Sequence, residues 1–473
     1  MTKKTMRFFT VLALAMMSLT FIACGGDEPD DPTTIDPTNP IDPVTPTADK
    51  AMSPLQQKEY LEKIALEFID KSSSSNFSTV NDLLQYCYDT YGEDYDWDAV
   101  DEWAKDVLDD TRNALGNQVT ETHEYSDYGY TYIYNDIYNM YESVLMASNF
   151  TGHFTAANGR WTVEKADDLQ IIFNDRLGRQ CVIKLETKGK VKKVFAFNYD
   201  DWVDYEWSEM GNTYVSNEYY DRVNCTIGVP EQAIVTLTQA GKQILKVTVN
   251  LDFSSLEGDN FDISKSAFTA SYDIEFDNGY RMTSSDVTYK GNKSASTTFV
   301  MSRNGETIIA VGCSGDIKDL PSRYLNDLDD EDFDTGNAKN VYVSVDILGK
   351  MQVQGTISDC RKYVDYLDNA LDNDQNESLF RSYINQANSL TDVNLFYDLK
   401  STKQATIRLE PFVDEGWNGE KYWTIEPVIC FYDGSSYSTI EAFFNNRDFR
   451  QTVDSFKSFV NQYAYLLGSH IYW

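Results

Sequence analysis

Apolar positions fall into two rhythms along this chain, and the change from one to the other is its main organising feature. Ser53-Pro54-Leu55-Gln56 carries a helix start: a Ser cap, Pro at the first helical position and Gln three residues after the cap. Leu61, Ile64 and Phe68 then share one helix face. Val80, Leu83, Leu84, Cys87, Tyr88 and Tyr91 predict a second helix stopped by Gly92. A third is predicted by Trp97, Val100, Trp103, Val107 and Leu108, ending near Gly116. Stripes of this spacing are core-facing surfaces before they are anything else.

From about Gly152 the period shifts to two. Asn158-Gly159, Asn278-Gly279 and Asn304-Gly305 each sit between strand-like runs, the strongest short signal for a hairpin. Val235-Thr236-Leu237 before Gly241, with Leu245, Val247 and Val249 after it, recurs as Phe299-Val300-Met301 before Gly305, with Ile309, Val311 and Cys313 after it. A weaker third copy has Val343 and Val345 before Gly349, then Val353 and Ile357, with Gly355 breaking the alternation. Cys181, Ile183 and Leu185 after Gly178 are one position out of phase and do not belong to the series. Polar residues at alternate positions (Lys246, Thr248, Asn250) describe a meander that buries one face and wets the other. No long helical interval separates these strands, so crossover helices and a parallel sheet are disfavoured.

Helical spacing returns from Ser358 to Leu390 (Tyr363, Val364, Leu367, then Leu379, Tyr383, Leu390), strands occupy about Gln404 to Tyr432, and Phe449, Val453, Phe456, Val460, Tyr463 and Leu467 predict a final helix. The expected class is α+β: a large curved antiparallel β-meander with helical segments at the N- and C-terminal ends. The chain divides into a leader (1–23), a tether (24–50), a helical unit (51–120), an antiparallel β-rich domain with hairpin repeats (121–357), and a C-terminal unit of helices with a short β segment (358–473).

Composition narrows the partners. The chain has a net charge of −35, with 75 acidic against 40 basic residues. Such a charge repels nucleic acid and other polyanions and favours neutral or cationic partners. With 42% hydrophobic and 14% aromatic residues the body has ample material for a large core in two or three parts, and disorder is excluded for it. Six cysteines follow Cys24: Cys87, Cys181, Cys225, Cys313, Cys360 and Cys430. They are widely spaced without a C-x-x-C pair, and their apolar surroundings predict buried free thiols, with disulfides the alternative.

The first residues give an address. Lys3, Lys4 and Arg7 precede an apolar stretch from Phe8 to Ile22, shorter than the ~20 residues a membrane-spanning helix takes, and Ala23-Cys24 closes it. An ordinary secretory cleavage site would need a small residue where Phe21 stands. Phe21-Ile22-Ala23-Cys24 resembles a bacterial lipobox, with Phe21 where Leu is usual; the resemblance implies that Cys24 is diacylated and becomes the mature N-terminus. Gly25-Gly26-Asp27-Glu28-Pro29-Asp30-Asp31-Pro32 behind it resembles the surface-export signal of Bacteroidetes-type lipoproteins, which implies an outer-membrane protein facing the cell surface. Acid and proline also keep such a segment unfolded whatever its export role. Most of the 11 prolines lie between Pro29 and Pro54, so the tether is a semi-stiff spacer of at most ~80 Å at ~3.1 Å per residue.

Candidate chemistry is sparse. A nucleophile elbow, a phosphate loop, a dinucleotide glycine fingerprint and an H-E-x-x-H zinc helix are all missing from the sequence, and His123, His153 and His470 lie far apart. The densest candidate runs from Asp200 to Glu209. There Trp202, Tyr205 and Trp207 suit the C–H face of a sugar, and Glu206 with Glu209 is the pair that a glycosidase would use, carboxylates held ~5 to 9.5 Å apart. The alternative is a solvated strand end with its aromatics turned inward. Asp330, Asp332 and Asp334 alternate as in a calcium loop, though Gly336 is one place late for an EF-hand and the closing Glu is missing. Calcium is thus the single cofactor left open, and no other is expected.

Taken together, these features favour a non-catalytic surface lipoprotein, joined to the membrane through Cys24, that binds a glycan or an envelope protein. A glycoside-acting hydrolase is the runner-up, and a lipid or lipoprotein carrier the third reading.

Overall fold

The computed structural model describes residues 52–92, 95–253, 262, 264–318, 338–398, 400, 402–415, 421–432 and 438–439. The leader, the tether, the calcium-loop candidates and the predicted C-terminal helix lie outside them. Three helices open the described chain: α1 (Pro54–Ser72), α2 (Ser78–Tyr91) and α3 (Asp98–Thr111). The cap at Ser53 forms as its sequence requires: Gln56 N–H donates to the Ser53 hydroxyl at 3.3 Å, and Ser53 N–H to the Gln56 side chain at 2.9 Å. Among the described residues no helix is long and apolar enough to cross a membrane.

Helix α3 stops at Thr111, and strand begins at once, earlier than the sequence boundary. The strands are β1 (Arg112–Asp127), β2 (Tyr130–Met146), β3 (Gly152–Ala157), β4 (Arg160–Glu164), β5 (Leu169–Asn174), β6 (Gln180–Met210), β7 (Thr213–Gln239), β8 (Lys242–Asp252), β9 (Ala267–Phe276), β10 (Tyr280–Lys290), β11 (Ser294–Arg303), β12 (Glu306–Ile317), β13 (Ala338–Ile347), β14 (Met351–Asp359), β15 (Thr391–Tyr397), β16 (Ala405–Glu415), β17 (Lys421–Phe431) and β18 (Ser438–Thr439). All belong to one sheet, antiparallel except at β2–β7 and β3–β5. From β7 to β17 each strand pairs with its successor, as a meander does.

The three related segments of the sequence are three hairpins of this sheet. Val235 faces Val247, Phe299 faces Val311, and Val345 faces Val353, so the same offsets return the same register. At Asn158-Gly159 and Asn304-Gly305 both turn residues have positive φ (54° and 80°, 51° and 85°), which Asn and Gly tolerate best. Helices α4 (Cys360–Leu371) and α5 (Glu377–Asn388) lie between β14 and β15 in sequence, yet those two strands pair directly. The sheet is continuous across residue 358, and the two helices are an excursion from it.

The helices bury their stripes on the sheet. Leu83 and Val100 join Phe154, Trp161, Phe173, Cys181, Leu237 and Ile244. Helix α1 spans two clusters, with Phe68 beside Tyr280, Met301 and Ile308, and Leu61 beside Leu395, Tyr397 and Ile429. Phe380 and Ile384 of α5 pack with Leu409, Trp423 and Ile425. Among the described residues the six cysteines form no disulfide, and burial pushes the Cys87 thiol up to about 11, away from reactivity.

Candidate functional site: an aromatic face on a projecting arm

β6 and β7 are far longer than the strands of the meander, and their excess length makes an arm. Only Gln232–Gln239 of β7 pairs with β8; Thr213–Gly228 pairs instead with β2, in parallel. β1 adds to the far side of β2, giving the order β1-β2-β7-β6. Among the described residues the outer edge of β1, and that of β6 beyond Leu185, pair with no strand. A sheet with water on both faces has no apolar core to hold it and must be fixed by ladders of side chains across its strands.

The two faces carry different ladders. On one, Thr122 donates to Asn135 at 2.9 Å and Asn135 to Asn217 at 2.7 Å, while Gln118 reaches Asn139 at 3.0 Å and Asn139 reaches Asp221 at 3.1 Å. The other is aromatic. Tyr125 opposes Tyr132 and Tyr132 opposes Tyr214, and their rings stack at 4.9 Å and 5.2 Å with planes 13° and 15° apart. Trp207 extends the row onto β6, 5.9 Å from Tyr214.

Trp202, Tyr205 and Trp207 stand together on this face. Strict alternation would place Trp202 opposite the other two, but a bulge between Trp202 and Asp204 shifts the register, so that Trp202 faces Tyr220, Tyr205 faces Glu218 and Trp207 faces Ser216. Trp202 and Tyr205 lie 6.3 Å apart. They are turned outward, not into a core: Trp202, Tyr205 and Trp207 are 58%, 59% and 52% exposed, and Tyr125 at the other edge is 51% exposed. An exposed aromatic area of this kind is a candidate contact site.

Glu206 and Glu209 are not brought together. The register runs unbroken from Asp204 to Met210, with Glu206 opposite Asn217 and Glu209 opposite Tyr214, so three steps along one strand put them on opposite faces. Glu206 takes the Tyr219 hydroxyl at 3.4 Å on the amide side. The two cannot flank one glycosidic bond, which corrects the pairing expected from their spacing. Asp330, Asp332 and Asp334 fall outside the described residues; within those residues no group of three or more His, Cys, Asp or Glu gathers as for a metal.

Two arginines, one on each face, fasten the arm at its root. Arg222 donates to both Asp200 oxygens at 2.8 Å and 2.9 Å and to Glu121 at 3.0 Å, and it lies 3.5 Å from the centre of the Tyr138 ring, so it engages all four strands. Hydrogen bonding to Asp200 is the main reason its pKa stands well above the usual value. On the amide face Arg112 pairs with Asp221, lies 3.7 Å from Asp201 and sits over Tyr141 at 4.1 Å. The Tyr125 and Tyr220 hydroxyls stay protonated. Tyr125 is pushed up to about 12, chiefly by its hydrogen bond with Tyr134, and Tyr220 to about 12 by its bond to Glu218. They are therefore hydrogen-bond donors throughout the physiological range.

The third polar constellation, His153 with Asp168 at 2.7 Å, also takes Gln170 and Lys184 on the same carboxylate and ties β3, β5 and β6 together. No family model matches the chain, and neither does any curated protein or solved structure.

Proposed function

We propose that this chain is a lipid-anchored protein of the outer membrane, displayed at the cell surface, whose arm binds a glycan or an envelope partner without catalysis. Cys24 carries the acyl chains and the acidic, proline-rich tether holds the body off the membrane. In this reading the curved meander, closed on by helices, is the base from which the arm projects. The observation that carries it is the outward-facing aromatic set of Trp202, Tyr205, Trp207 and Tyr125, all more than half exposed on a sheet with two wet faces. Burying that much aromatic surface in a core would be worth several kcal/mol, so leaving it in water favours a ligand that covers it.

The test is a soluble form beginning at Asp49, applied to glycan and envelope-protein arrays. The expected result is a binder that Trp202→Ala with Trp207→Ala removes while the circular dichroism spectrum is unchanged. A soluble form that captures nothing, or a partner indifferent to both substitutions, refutes the role given to the arm.

A further inference from the structure

Resting on that reading of the arm, we infer that its aromatic face takes an extended, uncharged, β-linked polysaccharide lying across the strands, one sugar ring to each of Trp207, Tyr214, Tyr132 and Tyr125. Three features carry this. Successive rings of the row stand 5.9, 5.2 and 4.9 Å apart, about the advance of one sugar in an extended chain. Rings so close cannot lie coplanar, since their edges would collide; the tyrosine planes, 13° and 15° apart, stack in part on one another, so that a ligand lying across the row meets one ring, largely at its edge, at each step. Register sets Tyr125, Tyr132 and Tyr214 directly opposite one another, and Trp207 continues the row from the neighbouring diagonal position, so it fits a chain whose linkages keep successive rings in line and not one that coils.

The polar surroundings select against charge. Asp127, Asp136, Glu218 and Glu209 share this face through the same register. Arg222, a cation of the same face, is occupied by Asp200 and Glu121. Carboxylates and protonated phenols can accept from and donate to sugar hydroxyls, but they repel a uronate or sulfate.

The experiment is calorimetric titration of the soluble form with β-1,4-linked gluco- and manno-oligosaccharides from disaccharide to hexasaccharide, with α-1,4-glucans and oligogalacturonates beside them. Affinity for a β-linked series should rise roughly three- to tenfold per added sugar, as one ring contact each allows, and level off at the tetrasaccharide. Trp207→Ala should move that plateau to the trisaccharide, which a merely structural role would not do. Thr120→Ala on the opposite face should change nothing. Equal affinity at all lengths, a plateau unmoved by Trp207→Ala, preference for the galacturonates or α-glucans, or no binding by any of these sugars overturns the inference. If the arrays nevertheless yield a different partner that needs Trp202 and Trp207, the binding role of the arm stands without it.

Discussion

Arg222→Gln should loosen the arm and leave the body intact. The arginine contributes three charge-assisted hydrogen bonds and a cation–π contact, reaching Asp200, Glu121 and Tyr138 on three strands besides its own. In a protected site each such bond is worth ~1.5–3 kcal/mol and the ring contact ~0.5–2 kcal/mol. The Arg222 side chain is a quarter exposed and its partners somewhat more, so water screens part of this, and contacts made by one side chain do not add. A net loss of about 2 kcal/mol remains, because glutamine also leaves two facing carboxylates without their shared cation. The cost falls on opening of the arm and not on global unfolding, since the arm shares little core with the meander. Amide exchange in 118–140 and 200–222 should accelerate about 30-fold, with β9 to β17 unchanged. Arg222→Lys should fall between, keeping charge but losing the fork on Asp200. Unaltered exchange in the arm, or equal acceleration in arm and body, would refute the assignment of Arg222 as its fastening.

Gln57 is fully buried, donates to the Met52 and Gln404 carbonyls at 3.0 and 3.1 Å and accepts from Tyr397 at 3.2 Å; Gln57→Leu takes the partner from the Met52 carbonyl and the Tyr397 hydroxyl, while the Gln404 carbonyl keeps the Tyr432 N–H at 3.2 Å, and should cost about 2 kcal/mol in a urea melt. Asp168 is lowered to about 2, first by Gln170 and then by His153, so its contribution is present above the unfolded carboxylate value of ~4 and is lost as pH falls toward 2. Asp168→Asn should therefore flatten the acid limb of the Tm–pH curve in that interval, and an unchanged limb would contradict it. Cys24→Ser should abolish incorporation of labelled fatty acid and release the protein from membranes; retention on membranes would remove the anchor.

The body was legible because burial writes itself into sequence. Ser53 and Gln56 announce a helix start whose partners are local, and the Val235, Phe299 and Val345 hairpins alternate because one of their faces is covered. The arm was not legible for the opposite reason. Gln118 to Glu124 has no apolar alternation, since both faces of β1 meet water, and the arm's tyrosines lie on a strand at alternate positions, as Tyr130, Tyr132 and Tyr134 do. A search for tyrosine at period two would have found them. The parallel pairing of β2 with β7 spans the intervening β3 to β6 and leaves no local trace. Nor does the bulge at Val203, which decides that Trp202 joins Tyr205 and Trp207.

The acidic run that first suggested catalysis has a simpler use at the place the fold puts it. An exposed strand edge offers unpaired N–H and C=O groups to any other edge, and an arm with two such edges and an aromatic face is a strong candidate for stacking on its own copies. β6 brings Asp200, Asp201, Asp204, Glu206 and Glu209 to one edge, and β1 brings Glu121, Glu124 and Asp127 to the other. Pairing between these acidic stretches, like with like or β1 with β6, therefore sets carboxylates against carboxylates. A charge penalty of this kind acts on another copy of the chain or on an acidic polymer but hardly on an uncharged sugar. On the proposed reading, the residues that would oppose pairing of two arms also leave the aromatic face open to a neutral ligand, so that the charge of the chain and the exposure of its aromatics belong to one arrangement.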